Sequence, residues 1–165
     1  MRSVAHPEGL PEARGCSLMK IQAGNALAEV ACHCARAQST VGNCWTLEQP
    51  ATSLMWQYPP VHKLVAEAAD TVIVLHACAF GTPWRKPTTI ASSSSCVAVL
   101  EKKCPGCETH QILAGKAPDG RNWTAVASPY WPQLCEEWAI VFGPEKPLDC
   151  EELPTASHLA GFGMA

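Results

Sequence analysis

Residues 71–90 constrain this chain more than any other stretch. Thr71 to His76 is rich in β-branched and aliphatic side chains, which predicts a strand. Val72 to Leu75 is apolar without interruption, the pattern of a parallel strand buried on both faces. Gly81-Thr82-Pro83 then demands a tight turn, and Thr88 to Ala91 predicts a further strand. Trp84, Arg85 and Lys86 lie between them. Strand, turn, paired cations and strand together fix positive charge at the edge of a sheet. Ligands of open α/β folds bind at such strand ends. The cations suit a phosphate, a carboxylate or a nucleobase.

The remaining pattern alternates helices with strands. Ile21, Gly24, Ala28, Ala31 and Ala35 recur at three and four residues, with Leu27, Val30 and Cys34 widening the stripe, so a helix is predicted from Ser17. Gly42 stands where a C-terminal capping glycine belongs. Cys44 to Leu47 reads as a short strand ending at Glu48, and Pro50 argues against its continuation. Glu48 and Gln49 are therefore expected at a strand-to-loop exit. Pro59-Pro60 starts a second helix, with Val61, Leu64, Val65 and Ala68 on one face. A last helix is predicted from Pro132 to Phe142, stopped by Gly143-Pro144. These elements divide the chain into an irregular segment 1–16, a domain 17–143 and a loose tail 144–165. The order favours an α/β sheet.

Composition narrows the function. The 165 residues are 47% hydrophobic, enough for a core in one domain or in a fragment of a larger one. A net charge of −3 gives no global reason to bind nucleic acid, so any DNA contact is local. No apolar run is long enough for a transmembrane helix. Residues 1–15 are polar and proline-bearing, unlike a signal peptide, so an intracellular location, nuclear or cytoplasmic, is expected. In that setting the ten cysteines read as thiols or metal ligands.

The loop 92–122 is rich in Gly, Pro, Cys and charge, and is expected to be mostly irregular. Within it, Cys104-Pro105-Gly106-Cys107 forms a knuckle that presents two thiolates to zinc, with His110 as a third ligand and Cys96 as a fourth. Such a site would staple the loop. The rival reading is free thiols in a surface loop. Cys32, Cys34, Cys44, Cys78 and Cys135 lie on apolar elements and read as small buried hydrophobes. His33, His62, His76 and His158 have no acid or cysteine at ligand spacing and receive no role.

The order of these signatures resembles the latter half of a cytosine-5 DNA methyltransferase domain, over roughly residues 23–139. Leu47-Glu48-Gln49-Pro50 stands where that family ends a strand in a glutamate-asparagine-valine triplet. Gly81-Thr82-Pro83-Trp84-Arg85-Lys86-Pro87-Thr88 stands where it carries a glycine-x-proline turn and spaced arginines. Pro129-Tyr130-Trp131-Pro132 looks like its closing turn and helix. The resemblance implies a partial Rossmann-like methyltransferase sheet with an irregular Cys-rich loop. It implies S-adenosylmethionine as cofactor of the intact parent and DNA as partner. Glu48 would be the base-binding acid and Arg85 its cationic partner, with Gln49, Trp84 and Lys86 as substrate-binding neighbours. Trp84 could equally pack over the sheet edge. The family's glycine-rich cofactor loop and proline-cysteine nucleophile have no counterpart here. The chain is thus expected to be a fragment or degenerate domain, inactive alone. Two other readings stand beside it: a non-catalytic nucleic-acid-binding module, and a zinc-stapled interaction module.

Overall fold

Small residues at helical spacing set the first helix. The computed structural model describes residues 2–143. Position 1 and positions 144–165, including the tail predicted to be loose and His158, lie outside the described residues. Helix α1 spans Gly15–Thr40 and buries Ile21, Ala28, Cys32 and Ala35. Gly42 adopts φ +75 just beyond it and donates its N–H to the Ser39 carbonyl at 3.1 Å. This is the left-handed turn that a side chain would resist.

Helix α2, Pro59–Ala68, packs on α1 with Val61 and Leu64 fully enclosed. Two prolines in its first turn cost nothing, because those N–H groups have no helical partner. The alanines of α1 let the two backbones approach closely. Trp45, Tyr58 and Ala91 complete this core. Both large aromatics keep their polar tips bonded. Trp45 Nε1 donates to Ser39 Oγ at 3.1 Å, and the Tyr58 hydroxyl donates to Glu29 at 2.7 Å.

Three strands form one small antiparallel sheet in the order β1-β3-β2: β1 Thr46–Pro50, β2 Thr71–His76 and β3 Pro87–Ser92. The chain is therefore mixed α/β with a small antiparallel sheet, where the resemblance implied a partial Rossmann-like one. β2 departs from expectation. It is an edge strand, buried at Ile73 and Leu75 but exposed at Val72. A continuous apolar run here marks a strand with one covered face, not two. β1 also runs further than expected and includes Pro50. It too is an edge strand, where a missing N–H can face away from the ladder. Glu48 and Gln49 consequently lie within the strand.

By internal contacts the chain falls into two units. One takes the residues up to Val72 together with Ile90–Ser94. The other takes Ile73–Thr89 and the residues from Ser95 onward. In the second unit, 3-10 helices η2 (Ala77–Phe80) and η3 (Ser95–Leu100) pack against α4, Pro132–Phe142. A third 3-10 turn, η1 (Leu54–Gln57), precedes α2, and a single helical turn, α3, spans Trp123–Val126. η3 departs from the expectation that loop 92–122 is mostly irregular. Its Val97 and Leu100 are fully buried, so tertiary packing holds it. The rest of 101–122 is irregular as expected, apart from a bridge between Lys116 and Asn122. Among the described residues no helix is long and apolar enough to cross a membrane.

Candidate metal centre

The end of β2 positions a cluster of sulfur and nitrogen atoms. η2 follows His76 directly and carries Cys78. After η3 the chain returns alongside. The His76 N–H donates to the Lys102 carbonyl at 2.8 Å, and the Gln111 N–H donates to the Pro83 carbonyl at 2.8 Å. These two bonds bracket the knuckle and bring Cys104, Cys107 and His110 up to Cys78. One ligand atom from each of the four lies within 4.8 Å of all the others.

That spacing suits a tetrahedral ion. Zinc–sulfur bonds of about 2.3 Å and zinc–nitrogen bonds of about 2.0 Å place tetrahedral ligand atoms about 3.5–3.8 Å apart. Cys104 Sγ and His110 Nε2 are 3.4 Å apart. The group can hold a metal ion such as zinc.

The knuckle is built to present a thiolate. Gly106 takes φ +97, a conformation that side chains rarely adopt. The turn aims the Gly106 and Cys107 N–H groups at the Cys104 sulfur, and they hold its pKa well below the usual thiol range, at about 6. Cys78 behaves oppositely. Burial, and then its hydrogen bond with Cys104, push its thiol up to about 11. A divalent cation would reverse this, because metal binding displaces the thiol proton.

His76 braces the knuckle from behind. It is buried, and its Nδ1 accepts the Cys104 N–H at 2.9 Å and the Arg85 Nε–H at 3.3 Å. Burial lowers its pKa, and Arg85, Lys103 and His110 lower it further. The ring is held neutral, as an acceptor of two N–H bonds must be. The Arg85 carbonyl in turn accepts the Ala77 N–H at 2.7 Å, which ties the turn to η2.

The sequence-based site residues are distributed as follows. Cys104, Cys107 and His110 come together as the spacing predicts. Cys96 does not join them. It is buried in η3, has an interaction of its own, and its place is taken by Cys78. The reading of Cys78 as a packing residue therefore fails, as does the absence of a role for His76. Of the other cysteines expected to be buried only Cys32 is, while Cys34, Cys44 and Cys135 are exposed. A cysteine and a histidine at the end of one strand were the available signal, but only folding brings them to the knuckle. Lys86 is not a free cation. Its Nζ donates to the Ala127 carbonyl at 2.8 Å and lies 5.8 Å from the Trp131 ring centre. Its backbone takes φ +30, which is strained for a non-glycine residue. Trp84 is half-buried, and its indole N–H is enclosed without a hydrogen-bond partner. Glu48 and Gln49 belong to the first unit, and Arg85 to the second.

No family model, curated protein or solved structure matches this chain.

Proposed function

We propose that this chain is a zinc-stapled interaction module in which the metal is structural. The observation that carries the reading is the convergence of Cys78, Cys104, Cys107 and His110 on one ion-sized centre. Four protein ligands fill a tetrahedral shell and leave no position for water or substrate, which is the structural rather than the catalytic form of a zinc site. Long irregular segments need a reason to stay ordered. Here the segment from Glu101 onward has few backbone bonds, and the ion would supply the missing constraint.

A protein partner fits this module better than DNA. The cations around the knuckle are engaged within the chain: Arg85 with His76, Lys86 with Ala127, Lys102 with Glu137 and Lys103 with Glu101. The stapled segment instead exposes Ile112. The cytosine-5 methyltransferase-like reading, with S-adenosylmethionine and DNA as ligands, is the competing proposal and rests on the order of short motifs alone.

Metal analysis of protein purified without chelators is expected to give about one zinc per chain. Cys104→Ser and Cys78→Ser should each reduce that content, while Cys135→Ser, at an exposed free thiol outside the cluster, should not. Metal-free protein with an unchanged fold would overturn the proposal.

A further inference from the structure

A cleft of about 510 Å³ in the first unit lies between the N-terminal segment, α1 and the stretch from Gln49 to Tyr58. We infer that it binds a small organic carboxylate with an aliphatic body. Its volume falls in the usual range for small-molecule sites, roughly 300–1,000 Å³.

The charge of the lining is one-sided. Arg2 and Lys20 face the cleft, and no Asp or Glu side chain does. Arg2 is pre-set. One of its terminal nitrogens donates to the Ile21 carbonyl at 2.9 Å and to Asn25 Oδ1 at 2.7 Å. Asn25 is itself fixed by a 2.8 Å bond from its Nδ2 to the Glu8 carbonyl. Gly24 provides the seat, since a Cβ there would stand 2.9 Å from that guanidinium nitrogen. These contacts would suffice for a purely structural strap. Four further features are superfluous to one. The Arg2 Nε–H is enclosed with no acceptor. Among the described residues the Lys20 ammonium has no ion pair, and the side chains of Ser17 and Gln49 have no hydrogen bond. The enclosed Arg2 donor is the one that water does not satisfy, while Lys20, Ser17 and Gln49 stay open to solvent and free to turn to a ligand.

The other side of the cleft is apolar. Ile21, Ala28, Leu54 and Met55 line it. A hydrocarbon body gains about 0.8 kcal/mol for each methylene it buries there. A carboxylate accepts from a guanidinium and an ammonium together, which an amide or an amine cannot do as well. This inference concerns the first unit only and is independent of the metal.

The test uses three probes of equal length on the full chain: octanoate, octanamide and octylamine, measured by titration calorimetry. Octanoate should bind about tenfold more tightly than octanamide, a difference of about 1.4 kcal/mol, and octylamine should be the weakest. Lys20→Gln removes an exposed cation and should leave the helical circular dichroism unchanged while weakening octanoate several-fold. Arg2→Gln should weaken it further. Equal affinity for octanoate and octanamide, no octanoate binding at about 10 mM, roughly ten times a millimolar Kd, or an unaltered affinity in Lys20→Gln would each overturn the inference. None of these outcomes bears on the zinc content, so the two proposals fail separately.

Discussion

The two units hold their chain by different means. In the first, a long helix and a short one bury Ala28, Cys32, Val61 and Leu64 against Trp45 and Tyr58. Order there comes from area removed from water, spread over many residues. In the second, Phe80 and Trp131 pack at 5.8 Å and α4 covers η2 and η3, but the segment from Glu101 onward lies outside regular structure. Its order is concentrated in a few polar groups around Cys104. A distributed core loses a fraction of its stability with any one side chain. A concentrated centre is lost whole when one ligand goes.

This contrast sets the scale of four perturbations. The largest, on the zinc-stapled reading proposed above, is metal removal. Structural zinc contributes about 10–16 kcal/mol of apparent binding free energy in small domains. Dialysis against a chelator should therefore raise amide hydrogen exchange across 101–111 by orders of magnitude, with the amides of α1 and α2 still protected. Equal loss of protection in both units would erase the distinction. Second is Leu64→Ala, at a fully buried position in the distributed core. A denaturant titration should show a loss of about 2–5 kcal/mol, with the zinc content unchanged.

Third is His76→Ala, which removes the acceptor of the Cys104 N–H without removing a ligand. Partners of that kind are worth about 10–100-fold in metal affinity, readable by competition with a chromophoric chelator. His76→Asn retains an acceptor and should recover part of the loss. The smallest effect belongs to Tyr58. Burial, and then its hydrogen bond to Glu29, push its phenol up to about 12. Its folded pKa thus lies above the ordinary value of 10.0, so its contribution is complete below pH 10.0 and fades between 10.0 and about 12. Tyr58→Phe should cost about 1–3 kcal/mol at neutral pH and should lose that alkaline decline.

Local signals made much of this legible. Proline pairs and single prolines at helix starts, as at Pro59 and Pro132, gave boundaries that match the structure because they act on the residues beside them. Gly42 is a similar case. The knuckle was legible because Cys104, Cys107 and His110 are close in sequence and one turn brings them together. Cys78 and His76 were not, because they sit at the end of a strand far upstream, and no local pattern states which loop a strand end will meet. The edge position of β2 is not legible in the sequence for the same reason. Its apolar run fits a central or an edge strand equally well, and sheet order decides between them.

The sequence by itself determined where α2 and α4 begin, that Ile21, Ala28 and Ala35 share the buried stripe of α1 (which the exposed Leu27, Val30 and Cys34 do not widen), and that a cysteine turn would form with Gly106 at its bend. Those outcomes follow from backbone sterics and side-chain periodicity over a few residues. Tertiary structure alone decided that β2 lies at the edge of a three-stranded antiparallel sheet, that Cys78 rather than Cys96 completes the cluster, and that Arg85 bonds to His76. Those outcomes depend on contacts between residues distant in the chain. They are selected by which packing buries the most surface while leaving the fewest polar groups unpaired.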